Sequence, residues 1–147
     1  MKSLSILLVF LFVGCGQEMH KEQQMKLNWD VDSVIFYGFY ERGEMKRVTE
    51  KDLQSQKGII IKDERLTALF RSAKYDERWS VWKGGHLGVV YFKDGFKMKI
   101  AISHYGGYFH IMGQTGFYFF ENQDRELWEY LFFGEGLQES IRKSKSD

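Results

Sequence analysis

Residues 87–112 read LGVVYFKDGFKMKIAISHYGGYFHIM. Two apolar runs flank Asp94-Gly95, and Asp-Gly between alternating runs is among the strongest hairpin signals, because a type I′ turn needs φ > 0 at both central positions. The pattern predicts strands over Leu87–Lys93 and Phe96–His104. Closing Asp94-Gly95 as a two-residue loop sets Tyr91 opposite Met98, Val89 opposite Ile100 and Leu87 opposite Ile102, so that these six share one apolar face. Tyr105-Gly106-Gly107-Tyr108 reads as a second tight turn. Closed in the same way, it sets His104 opposite Phe109 and Ile102 opposite Ile111, which adds Phe109 and Ile111 to that face. The other face then carries Lys97, Lys99, Ser103 and His110, with Val90, Phe92, Tyr105 and Tyr108 among them. Gly113-Gln114-Thr115-Gly116 turns once more into a strand over Phe117–Phe120.

Working outward, residues 31–40 (VDSVIFYGFY) predict a strand, with Arg42-Gly43 as a turn and Met45–Thr49 as a return strand. The polar residues 50–57 suit a short helical turn, and Ile59-Ile60-Ile61 a short strand. Asp63 reads as an N-cap with Glu64 in the first turn. Leu66, Leu69, Phe70 and Ala73 follow at the spacing of one helical stripe. Residues 74–85 are irregular, with Trp79 and Trp82 in a loop-like stretch. A last long helix spans about Gln123 to Phe133, with Leu127, Trp128, Leu131 and Phe132 as its apolar stripe, and Leu137–Lys143 suits a further short helix before a fraying end. Segments 39–48 (FYERGEMKRV) and 91–100 (YFKDGFKMKI) echo one another, as any two charged hairpins would. The expected class is α+β: an antiparallel β-meander sheet with two helices packed on one face.

The chain opens differently. Met1, Lys2 and Ser3 precede an apolar run from Leu4 to Val13. One positive charge before a short apolar stretch is the form of a secretory signal, and a membrane-spanning helix needs about 20 apolar residues. The run ends in Phe12-Val13-Gly14-Cys15, and Cys15 is the only cysteine. This end resembles the lipobox of bacterial lipoproteins: Gly14 and Cys15 stand where the motif requires them, while Phe12 and Val13 replace its usual Leu and small residue. The resemblance covers residues 1–15. It implies that 1–14 are a cleaved signal peptide and that the Cys15 thiol carries a diacylglycerol, the new amino group also being acylated, palmitate among the usual chains. Residues 15–29 then form the lipidated cysteine and a flexible polar tether, with residues 30–147 as a single domain. Such a protein belongs to the cell envelope, anchored to the membrane at Cys15. Gly16 is not the aspartate that resembles an inner-membrane retention signal, so an outer-membrane destination is allowed in a cell that has one.

Composition narrows the partners. The chain holds 21 Lys plus Arg and 20 Asp plus Glu; loss of residues 1–14 removes Lys2 alone and leaves 20 against 20. A neutral chain has no electrostatic footprint for nucleic acid. A single cysteine makes no internal disulfide, so stability rests on burial. The 13 Phe, 8 Tyr and 4 Trp, with no Pro, suit a sheet.

No recognisable chemistry stands out. The sequence has no Gly-x-Ser-x-Gly and no His-Glu-x-x-His. Ser103 and His104 are strand neighbours that point to opposite faces. His104 and His110 fall on opposite faces in the register above, and zinc wants three or four converging ligands, so no metal and no cofactor are expected. The acids Glu41, Glu44, Asp63, Glu64, Asp76 and Glu77 sit where turns and helix starts place solvated carboxylates. Aromatic residues carry the functional signal, since exposed aromatic clusters mark recognition surfaces. The candidate binding surface is Trp79, Trp82, Tyr105, Tyr108 and His110, with no catalytic residue. The reading is a non-enzymatic envelope lipoprotein that binds an envelope protein or glycan. The alternatives are an inhibitor or immunity-type protein against an exported enzyme, and a hydrolase without a recognisable motif.

Overall fold

The computed structural model describes residues 29–78, 83–103 and 107–146. Cys15, Trp79, Trp82, His104 and Tyr105 lie outside the described residues. In chain order the elements are β1 (Val31–Glu41), α1 (Arg42–Met45), α2 (Glu50–Gln54), β2 (Ile59–Ile61), α3 (Leu66–Ser72), β3 (Lys74–Asp76), β4 (Gly84–Phe92), β5 (Lys97–Ile102), β6 (Tyr108–Ile111), β7 (Phe117–Phe119), α4 (Asn122–Phe133) and α5 (Glu135–Ser146). The strands form one seven-stranded sheet in the order β2-β1-β4-β5-β6-β7-β3. Every neighbouring pair is antiparallel. The α+β class and the meander β4-β5-β6-β7 are as the sequence predicts.

One face of the sheet carries the main core. Val34, Phe36, Val90, Ile100, Ile102, Phe109 and Ile111 meet Leu66, Leu69 and Phe70 of α3 and Trp128, Leu131 and Phe132 of α4. These are the stripes that the helical spacing picks out, and burying each large side chain stabilises the fold by about 1.5–3 kcal/mol. Thr67 fastens α3 to the sheet: its hydroxyl accepts from the Val31 N–H at 3.0 Å and donates to the Val31 carbonyl at 3.1 Å. Trp29, which the sequence places in the tether, is buried and stacks on Phe70 at 5.4 Å. The packed domain therefore includes residue 29.

The opposite face carries a smaller core, in which Tyr37, Leu87 and Val89 lie with Leu53 of α2. This division corrects the sequence register. Leu87 pairs with Ala101, Val89 with Lys99 and Tyr91 with Lys97, one residue away from the pairing drawn from a two-residue loop. The loop has three residues: Phe92 N–H donates to the Phe96 carbonyl at 2.9 Å, and Gly95 N–H to the Phe92 carbonyl at 3.0 Å. Gly95 stands at φ 87. A type I turn followed by a left-handed glycine is the usual three-residue hairpin loop. Because side chains alternate, the one-residue slip transfers Leu87, Val89 and Tyr91 to the second face and sends Val90 and Phe92 into the main core. The next hairpin also has a longer connection, with Ile102 opposite Phe109 and Ile100 opposite Ile111. That slip is two residues, so Phe109 and Ile111 keep the expected face.

The first hairpin does not form. Residues 42–45 turn helically, capped by a reciprocal Glu41–Glu44 capping box, and Met45 is buried. β1 pairs instead with β2 and β4. The resemblance between 39–48 and 91–100 is thus one of composition, since the two segments fold differently. Asp63 lies just ahead of α3 rather than at its N-cap, which is Arg65. The irregular stretch holds β3, paired with β7. The C-terminal helix α5 continues to Ser146 instead of fraying after Lys143.

Candidate functional site

A capping box stands where the first return strand was expected. It holds α1 over the second face of the sheet, and Arg42, Met45 and Lys46 of this segment form one wall of a cleft of about 570 Å³. Lys99 and Ala101 of β5 and His110 of β6 form its floor, and Met112, Gly113, Gln114 and Gly116 of the β6–β7 turn form the other wall. The volume lies in the range of small-molecule sites.

The floor follows from strand alternation. Ala101 pairs with His110, so both point to the second face together with Lys99, two residues earlier. The turn is held down at both ends. Met112 N–H donates to the Lys99 carbonyl at 3.0 Å. His110 Nδ1 lies 2.6 Å from the Gly116 carbonyl; a carbonyl only accepts, which assigns the donated proton to Nδ1. Gly116 has φ 76, and a Cβ there would stand 2.6 Å from the Asp76 carbonyl and from the Tyr75 hydroxyl. Only glycine gives the turn this path.

The electrostatics of the cleft are one-sided. Arg42, Lys46 and Lys99 line it, and the described lining residues include no carboxylate. Two acids of the same stretch have partners of their own: Glu44 accepts from the Glu41 N–H at 3.0 Å, and Glu50 pairs with Lys97. Lys99 Nζ donates to the Val48 carbonyl at 2.8 Å, which uses one of the three N–H groups of the ammonium. Met45 and Met112 add a pliant apolar lining. Gln114 Oε1 is buried without a hydrogen-bond partner, a state that costs about 1–3 kcal/mol. Chemically the described lining offers three cations, two thioethers, an amide and an imidazole.

A second, smaller cleft of about 340 Å³ adjoins it across Lys99, between α2 and the sheet. Tyr37 lines it, and burial, followed by the neighbouring Tyr91 and Tyr40, pushes its phenol up. On the other acids singled out above, Arg65 holds the Asp63 carboxyl below its ordinary range through a side-chain hydrogen bond, against the opposing effect of burial, and Arg78 does the same for Asp76. Both are structural ion pairs at turns. Among the described residues no group of three His, Cys, Asp or Glu could hold a metal ion.

Of the surface expected from sequence, the structure places His110 in the cleft. Tyr108 shares its face but stands outside, 39 % exposed, with its ring edge-on to Phe117 at 5.4 Å. Arg42, Met45, Lys46, Met112 and Gln114 were not singled out by the sequence. The one available signal was the grouping of Lys99 with His110 on the outer face, and α1, read as a hairpin turn, hid the rest.

No known protein family, no curated protein and no solved structure matches this chain.

Proposed function

We propose that the protein is a lipid-anchored component of the cell envelope whose globular domain works by binding. The observation that carries the reading is the placement of the chain's only cysteine, Cys15, directly after an apolar run and Gly14. Two or three acyl chains at that point would hold the domain at a membrane, since each buried methylene contributes about 0.8 kcal/mol. Among the described residues no helix is long and apolar enough to cross a membrane. The cleft supports the second half of the reading, because its described lining gathers cations, thioethers and an amide around one concavity.

Intact mass of the membrane-bound protein, measured beside a Cys15→Ala variant, tests the anchor. The expected result is a chain that begins at Cys15 and carries added lipid mass, absent from the variant. An unlipidated chain in both would remove the anchor and leave Cys15 as an ordinary thiol.

A further inference from the structure

We infer that the cleft between α1 and the β6–β7 turn receives an organic anion, a carboxylate or phosphate on a short apolar body. The inference rests on the reading of the domain as a binding module and names the class of ligand.

Three cationic side chains, Arg42, Lys46 and Lys99, converge on one concavity. They come from two separate elements, the α1 segment and β5, so the fold rather than the local sequence brings them together. Like charges gathered in a cleft with low-dielectric walls raise each other's potential and concentrate anions there. Glu44 is held in the capping box, and Glu50 pairs with Lys97. Lys46 is exposed, and Lys99 keeps two N–H groups beyond its bond to Val48.

The apolar half follows from Met45 and Met112, which face the same space from opposite walls. Met45 is only 4 % exposed although it lines the cleft, so it offers a recessed surface to a guest and little to water. Unbranched thioether side chains adapt to apolar groups of varied shape. A cavity of about 570 Å³ accommodates a small molecule or a chain end. A cationic guest would meet like charge at three positions of the lining, and a bare inorganic ion would leave the methionine walls unused.

The test uses the full chain in phosphatidylcholine nanodiscs, with 13C-methyl methionine labels. Met98, buried in the main core on the other face of the sheet, serves as the internal control. The probes are hexanoate, hexyl phosphate, inorganic phosphate and hexylammonium. Saturable shifts of the Met45 and Met112 signals with hexanoate or hexyl phosphate, and none at Met98, are expected. The two probes also distinguish a carboxylate from a phosphate source. Lys46→Met, an exposed position, should weaken binding about tenfold, the size of one lost charge-assisted hydrogen bond. Lys99→Met should do the same, and Lys51→Met, outside the cleft, should not.

Equal binding of hexylammonium would overturn the anion and leave a binding cleft standing. Inorganic phosphate binding as tightly as hexyl phosphate would overturn the apolar body. No shift at Met45 or Met112 with any probe would overturn the inference altogether. The lipid anchor is decided separately by the mass measurement.

Discussion

His110 Nδ1 and the carbonyl of Gly116 lie 2.6 Å apart, which closes the β6–β7 turn back onto the strand it leaves. The bond links a floor residue of the cleft to its wall, so the shape of the site depends on it. His110→Asn can present an amide N–H near the position of Nδ1 and should retain the turn. His110→Ala should lose about 1 kcal/mol, the net value of one hydrogen bond. Urea unfolding of the two variants checks this; equal loss in both would show that ring packing, rather than the hydrogen bond, holds the turn.

Gly116 and Gly113 both have φ between 70 and 90, yet substitution should separate them. A Cβ at Gly116 meets backbone and a tyrosine at 2.6 Å, while one at Gly113 meets nothing within 4 Å. Gly113→Ala should cost about 1–2 kcal/mol from the left-handed conformation alone. Gly116→Ala adds a clash with the Asp76 carbonyl and should cost about 3 kcal/mol or more. Thermal unfolding of the pair gives the comparison, and equal costs would contradict the close approach of β3 to this turn.

Phe92 tests the register of the central hairpin. The three-residue loop sends it into the main core against Trp29, ring centres 5.9 Å apart. Phe92→Ala should therefore destabilise by about 3–5 kcal/mol, as core aromatic truncations do. Tyr91→Ala, on the smaller second face, should cost clearly less. The reverse order in denaturant midpoints would restore the two-residue turn.

Asp63 gives a pH dependence of definite sign. The side-chain hydrogen bonds that Arg65 donates to it, at 2.8 and 2.9 Å, hold its carboxyl below the ordinary carboxylate range. A depressed carboxylate contributes stability that is fully present above its unfolded value, about pH 4, and is lost as pH falls through the folded one. Arg65 is about half exposed, so the contribution is discounted to about 1 kcal/mol. The stability gap between the protein and Asp63→Asn should be constant at neutral pH and shrink below about pH 4. Chemical denaturation across that range measures it; a gap that persists in acid would assign the effect to backbone capping.

The sequence by itself determined the meander strands β4 to β7, the α+β class and the helix stripes of α3 and α4. Those depend on local periodicity, in which apolar residues recur at a helix or strand repeat whatever lies around them. It also placed Lys99 and His110 on a common outer face, because a two-residue slip in the second hairpin leaves the alternation intact. Which face of β4 enters the main core was a tertiary decision. Leu87, Val89 and Tyr91 are apolar on one side and Val90 and Phe92 on the other, so the pattern suits either register. The helices α3 and α4 fill one side and α2 the other, which sets the loop at three residues. The cleft was decided in the same way. Arg42, Met45 and Lys46 look like the turn of a charged hairpin until β1 takes β2 and β4 as its partners, which leaves residues 42–45 to coil over the sheet and bring their charges to Lys99. Contacts between residues far apart in the chain make that choice, and no local spacing records them.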